Sequence, residues 1–324
     1  MTNRRNFLRN ASLLAAGGLL AGKAESISAA VPQTSGASCA AGCGSSKVIG
    51  LQIYSLAQEL HANVPVGLKR IKEMGYTTLE LAGYNKDGNI NKTPMADFKR
   101  MCDDNGLLIT STHVNPPTRE YTSSNKAETM DFWKKAADDH AKIGVKYLIQ
   151  PGQPATRSTE EMARVGEFFN GAGEIAKAAG LKFGYHNHAG EFAWVQPGGK
   201  EAQSDRRRFG KDAKGLEVIY DLMLKNTDPS LVFFELDVYW AVMGQADPVD
   251  YMRRYNDRIR VLHIKDRAVL GQSGMMNFEM IFNTAYYAIG AFDYFVELEG
   301  IRNMTQFEGV KGCADYLLKM PFVR

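Results

Sequence analysis

Leu231-Val232-Phe233-Phe234-Glu235-Leu236-Asp237 is a short apolar run that closes on carboxylates. Three other segments in the second half of the chain have the same form. Lys182 to Tyr185 leads into His186-Asn187-His188, Ile259 to Leu262 leads into His263-Ile264-Lys265-Asp266, and Phe292 to Val296 leads into Glu297-Leu298-Glu299. Each run ends in groups able to bind a metal or move a proton. The simplest way to gather four such ends is a barrel of parallel strands, whose catalytic residues sit at the strands' C-terminal ends.

The rest of the chain keeps that rhythm. Strand-like segments are expected at Val48–Tyr54, Thr77–Ala82, Leu107–His113, Val145–Gln150, Lys182–His188, Leu231–Asp237, Ile259–Lys265 and Phe292–Glu299. Between them lie helical spacings such as Val66–Met74, Ala127–Ile143, Glu160–Ala179 and Phe278–Ala288. Gly75, Gly106, Gly144, Gly180 and Gly290 each stand just before a strand, where glycine closes a helix in the left-handed conformation. Helix starts carry caps or early prolines at Thr93-Pro94, Ser158-Thr159-Glu160-Glu161 and Asp247-Pro248. The strands are apolar on both faces, as buried parallel strands are. The expectation is an α/β fold, a single-domain (β/α)8 TIM barrel over residues 48–324. Residues 189–215 make one connection too long for the pattern, either a cap over the catalytic face or a surface insertion.

The N-terminus reads differently. Arg4-Arg5-Asn6-Phe7-Leu8-Arg9 is a twin-arginine signature, followed by an apolar stretch, Ala11 to Gly22, too short for a lasting bilayer span. With a cleavage site at Ser28-Ala29-Ala30, residues 1–30 read as an export signal and residues 31–47 as a flexible lead-in. Export places the protein in the periplasm with no stable membrane anchor. Setting aside Arg4, Arg5, Arg9, Lys23 and Glu25 leaves 35 of 39 basic and 35 of 36 acidic residues, a net charge of zero. That balance argues against a nucleic-acid partner, which demands a basic face. The run Arg206-Arg207-Arg208 reads as a solvated loop. Cys39 and Cys43 are available for a local disulfide after export. Cys102 and Cys313 fall in helical patterns and read as buried apolar residues.

Asp237, His263 and Glu297 each end an apolar run, and burying such groups unpaired is costly. A shared divalent cation satisfies all three, with an O/N donor set that suits Mn2+, Co2+, Mg2+ or Zn2+. The fourth ligand is expected from His186-Asn187-His188. The two imidazoles are two residues apart, so a regular strand puts them on one side, one for metal and one for substrate. Glu191 competes as ligand or general base.

These motifs resemble the sugar phosphate isomerase/epimerase group of the xylose isomerase-like TIM barrels. The likeness runs through Gly50-Leu51-Gln52-Ile53-Tyr54, Leu79-Glu80-Leu81, Tyr185-His186-Asn187-His188 with Glu191-Phe192, Glu235 to Trp240, Leu262 to Asp266, and Phe295-Val296-Glu297. The resemblance implies one divalent metal held by a carboxylate on strand five, Asp on six, His on seven and Glu on eight. Asp237, His263 and Glu297 match, and His186 stands where better-known epimerases carry Glu. His188 falls where related dehydratases carry a substrate-contacting His.

The implied chemistry begins with loss of a proton beside a carbonyl, with metal stabilisation of the enediolate. His188 and Glu191 are the candidate bases, and Lys265 steadies an oxyanion or pairs with Asp266. Glu80 and His113, at the ends of strands two and three, are expected to contact substrate hydroxyls. Tyr54 and Trp240 are expected to wall a sugar ring. Export and the lack of a glycine-rich phosphate cradle point to an unphosphorylated keto-sugar. The leading expectation is a metal-dependent isomerase or epimerase; a 3-keto-glycoside lyase or hydratase is the rival on the same site. A non-catalytic sugar-binding protein is the rival of another class. A homodimer is the simplest assembly.

Overall fold

The structure is a computed structural model that describes residues 47–152, 158–199 and 201–324. The export signal expected over residues 1–30, and Cys39 and Cys43, lie outside them. Eight strands, all paired in parallel, close into a barrel. They are β1 (Gly50–Gln52), β2 (Thr78–Leu81), β3 (Leu108–His113), β4 (Tyr147–Gln150), β5 (Lys182–His186), β6 (Val232–Asp237), β7 (Ile259–Ile264) and β8 (Asp293–Val296). A helix follows each strand: α1 (Val64–Glu73), α2 (Met95–Asp104), α3 (Lys126–Lys142), α4 (Thr159–Ala178), α5 (Ile219–Lys225), α6 (Pro248–Arg254), α7 (Phe278–Thr284) and α8 (Gln306–Lys319).

The helix boundaries follow local chemistry. Ser158 and Glu161 form a capping box at the start of α4, and Asp247 caps α6 with Pro248 in its first turn. Thr93 does not cap α2. It pairs in a small antiparallel hairpin with Ile90, and Pro94 takes the cap position. All five helix-closing glycines have positive φ. Outside the barrel, α3 and α4 seal β5 with aromatics: Trp133 and Phe169 lie 5.1 and 5.7 Å from Phe183, and Phe169 lies 5.3 Å from Tyr185. Burying each ring stabilises the shell by roughly 2–3 kcal/mol.

Strand alternation sorts the barrel interior into layers. On β6, Phe233, Glu235 and Asp237 share the inner face; on β7, Val261 and His263; on β8, Phe295, followed by Glu297 beyond the strand end. Phe233, Val261 and Phe295 join Tyr147 and Ile149 in an apolar floor. Gly184 makes room for that floor, since a Cβ there would lie 2.5 Å from the Phe233 ring. Polar side chains fill the layers above.

Among the described residues, none of the long connection after β5, residues 189–215, lines the barrel-mouth cavity. The connection turns through Ala189–Phe192, pairs Trp194–Val195 with Glu217–Val218, and lines a second cavity of about 660 Å3 against α5 and α6. Arg206, Arg207 and Arg208 are exposed, with Arg207 paired to Asp205. Cys102 and Cys313 are buried and free. Among the described residues no helix is long and apolar enough to cross a membrane.

Candidate metal centre at the barrel mouth

Register brings the polar residues into rings. Gln52, Glu80 and Ser111 are neighbours across β1, β2 and β3; His186 faces Glu235 across β5 and β6; Asp237 faces His263 across β6 and β7. His186, Asp237, His263 and Glu297 each offer one ligand atom, all within 4.8 Å of one another. They lie beneath a cavity of about 690 Å3 whose lining includes Tyr54, His113, His186, His188, Glu297 and Glu299.

Local structure aims these ligands. Asp237 ends β6 and caps the helix Val238–Met243, where its Oδ1 accepts the Trp240 N–H at 2.7 Å. Its Oδ2 is buried with no hydrogen-bond partner. Asn187, also fully buried, accepts the Asp237 backbone N–H at 3.1 Å and so fixes β6 against the end of β5. His263 Nδ1 is likewise buried and unbonded, 3.5 Å from Glu297 Oε2 and 3.9 Å from Asp237 Oδ2. Two imidazoles and two carboxylates converge here, with these two atoms outside any hydrogen bond. That arrangement fits a divalent cation and is costly without one.

Beneath lies a second group of charges. Glu80 Oε2 accepts from Gln52 at 2.8 Å, Glu80 Oε1 accepts from Ser111 at 2.6 Å, and His263 Nε2 sits 2.5 Å from Glu80 Oε2. Glu235 Oε2 lies 2.8 Å from His113 Nε2 and 3.0 Å from His186 Nδ1. Burial raises Glu235 and Asp237 each to about 7. Burial also opposes ionised Glu80, but His113 and His263 outweigh it and hold its carboxyl low. Burial alone would strip the proton from His263, yet Glu235 and Glu80 overcome it and raise its basicity well above the ordinary value. His186 goes the other way: burial and then the His263 charge keep it neutral. His188 is lowered, again chiefly by burial.

Several expectations need correcting. Glu80 does not reach the cavity; it is fully buried and saturated by Gln52, Ser111 and His263. Glu191 does not reach it either. The chain turns into a 3-10 helix after His188, so Glu191 Oε1 accepts from the outward-facing Tyr185 hydroxyl at 2.5 Å and from the His188 N–H at 3.1 Å. Lys265 does not pair with Asp266. It stands 3.3 Å from Glu297 and 3.1 Å from Glu299, while Asp266 accepts backbone N–H groups of Arg267 and Gly271. Burial works against the Lys265 charge, but Glu297, Asp237 and Glu299 hold it protonated.

The other expected groups do meet. The His186 and His188 rings are 5.0 Å apart on one side of the strand. Trp240 packs 5.8 Å from His188 and lies 5.7 Å from Lys265 Nζ. His113 lines the cavity as well as touching Glu235. Tyr54 is exposed on its rim. The sequence places Glu235 in a strand-end motif but assigns it no role of its own. The available signal was its place two residues before Asp237, on the same inner face of an apolar strand.

A barrel of this kind, with a His/carboxylate centre at its mouth, defines a fold class. Residues 68–301 match the Xylose isomerase-like TIM barrel family, and the chain belongs to it. Among solved structures, it is similar to a sugar phosphate isomerase/epimerase from Parabacteroides distasonis ATCC 8503, at 52% identity over 86% of this chain and 100% of that one, with a TM-score of 0.78. A 3-keto-D-glucoside 4-epimerase from E. coli shares the fold at 16% identity, over 84% of this chain and 99% of that one, with a TM-score of 0.61. Among curated proteins, an inosose dehydratase of Geobacillus kaustophilus is 32% identical over 95 residues. That match spans 29% of this chain and only 24% of the relative's length.

Proposed function

We propose that the barrel mouth is an enzyme active site that removes the proton beside the carbonyl of a non-phosphorylated keto-sugar, giving an isomer or epimer through an enediolate. One observation carries this reading: four buried ligand side chains converge under a cavity of about 690 Å3, with Asp237 Oδ2 and His263 Nδ1 left without a hydrogen bond. His186, Asp237, His263 and Glu297 would hold the cation. Mn2+, Co2+, Mg2+ and Zn2+ all suit that donor set. When bound, it supplies positive charge to the developing enediolate oxygen.

The chain's own residues supply the rest. His188 lines the cavity, is kept neutral by burial, and serves as the general base. Lys265 stays protonated behind Glu297 and Glu299 and serves as a proton donor on the oxygen side. Tyr54 forms an apolar wall and His113 offers a polar contact, while Trp240, outside the cavity lining, packs against His188. Glu191 anchors the His188 backbone rather than touching substrate. A phosphate monoester would need a cluster of cations. Among the described lining residues the formal charges are Lys92 against Glu297 and Glu299, which favours a neutral substrate. The proposal includes export by the twin-arginine route to the periplasm, where such sugars would be met.

A second reading uses the same site. The curated relative is a dehydratase, and β-elimination from a 3-keto-glycoside also begins with loss of the proton next to the carbonyl. The test is incubation with keto-sugars and 3-keto-glycosides in D2O under mass detection. An epimer gaining one deuterium supports the leading reading, and release of an aglycone supports the second. No exchange and no turnover with any divalent ion, despite saturable sugar binding, would leave a binding protein.

A further inference from the structure

Two fully buried carboxylates beneath the mouth, Glu80 and Glu235, take no part in the reading above, and both lie against His113 of the cavity lining. Burying them has a cost that some function must justify. Their contacts show a pattern. Each carboxylate makes its shortest contact to a candidate ligand at one ring nitrogen: Glu235 Oε2 is 3.0 Å from His186 Nδ1, and Glu80 Oε2 is 2.5 Å from His263 Nε2, with Glu235 Oε2 farther from that same His263 nitrogen, at 3.5 Å. The opposite nitrogen of each ring is left for the mouth. For His263 that nitrogen, Nδ1, is buried and unbonded, facing Glu297 and Asp237.

We propose that Glu235 and Glu80 are positioning residues that set opposite tautomers in the two ligand imidazoles. His186 donates Nδ1–H to Glu235 and presents Nε2; His263 donates Nε2–H to Glu80 and presents Nδ1. The inference rests on the cation reading of the mouth. A cation at the mouth favours the ionised form of both carboxylates; an ionised carboxylate only accepts hydrogen bonds, so it then fixes which nitrogen carries the proton. Gln52 and Ser111 hold Glu80 in place from β1 and β3, and His113 Nε2 ties the pair together, 2.8 Å from Glu235 and 3.1 Å from Glu80. The Glu235 contact also supplies the anion that His186 lacks as a ligand, so the imidazole with its carboxylate does the work of a carboxylate ligand at one remove.

The same atoms suggest a competing use. His113, His186, Glu235 and His263 also offer ligand atoms within 4.8 Å of one another. A cation there would need His186 Nδ1 and His263 Nε2 free of protons. A tautomer lock and a deep cation site therefore exclude each other.

The test uses the full chain, with Glu235→Gln and Glu80→Gln beside wild type. Mn2+ is titrated against a competing chelator, and 15N-histidine spectra are recorded on metal-free and Zn2+-loaded protein. The expected results are one Mn2+ per chain and an affinity loss of about 10–100-fold in each variant, with little change in the melting temperature of the metal-free forms. Once Zn2+ is bound, His186 should carry its proton on Nδ1 and His263 on Nε2. Unchanged affinity in folded variants, the reverse tautomers, or two ions per chain would overturn the proposal. If wild type bound no ion, the cation reading itself would fall, whereas a wild type that binds beside variants that bind equally well would sink only the tautomer lock. Should a variant not fold, the wild-type spectra decide alone.

Discussion

His140 and His263 are both fully buried imidazoles on this barrel, yet their surroundings differ in kind. His140 sits in the helical shell on α3. Its Nδ1 lies 2.7 Å from the Ala136 carbonyl, and its Nε2 lies 3.1 Å from the Thr112 hydroxyl. Both nitrogens are satisfied by neutral groups, and burial lowers its pKa to about 4. His263 stands on the barrel axis with a carboxylate at one nitrogen and an unbonded second nitrogen facing two more carboxylates. The lesson is that burial alone does not mark a functional histidine. An uncompensated donor atom among convergent charges does.

Substitutions can break that contrast. The largest effect is expected at His188. His188→Ala should lower turnover by about 100- to 10,000-fold while leaving metal content unchanged, measured by steady-state kinetics beside metal analysis. Equal turnover would remove His188 as the base.

Next is acid stability at His140. In the unfolded chain its pKa is near 6.5 and in the folded protein about 4, so between those values the unfolded state binds more protons. Stability tied to this group is fully present above pH 6.5 and is lost as pH falls toward 4. The slope is about 1.4 kcal/mol per pH unit, or about 2 kcal/mol between pH 6.5 and 5. Denaturant melts of wild type and His140→Gln at both pH values check it: the variant should lose less stability on acidification. An identical loss would show that His140 does not carry the acid sensitivity.

The smallest effect is expected at Tyr54. It is exposed at the rim, and Tyr54→Ala should raise KM by about 2- to 10-fold, the worth of one aromatic contact, with kcat little changed.

The same contrast explains what the chain disclosed before its structure was known. Every expected strand segment contains a barrel strand, because buried parallel strands and helix-closing glycines leave a local record. Residue parity also worked within a strand: His186 and His188 face one way, as do Glu235 and Asp237. Depth did not show. Glu80 stands one residue before the end of β2 whereas Asp237 ends β6, and Glu80 lies beneath the mouth, where Gln52 and Ser111 hold it. Nothing local to Glu80 encodes that. Glu191 was misplaced for another reason. Its offset from His188 looked like a continued strand exit, but a 3-10 turn rolled it back onto Tyr185.

The central claim is that His186, Asp237, His263 and Glu297 form one cation site. Metal analysis of protein purified without chelators, beside Asp237→Ala and His263→Ala, tests it most directly. About one divalent ion per chain is expected in wild type, with a near-complete loss in both variants. A wild type that takes up no Mn2+, Co2+ or Zn2+ on soaking, or variants that keep the full complement, would contradict it.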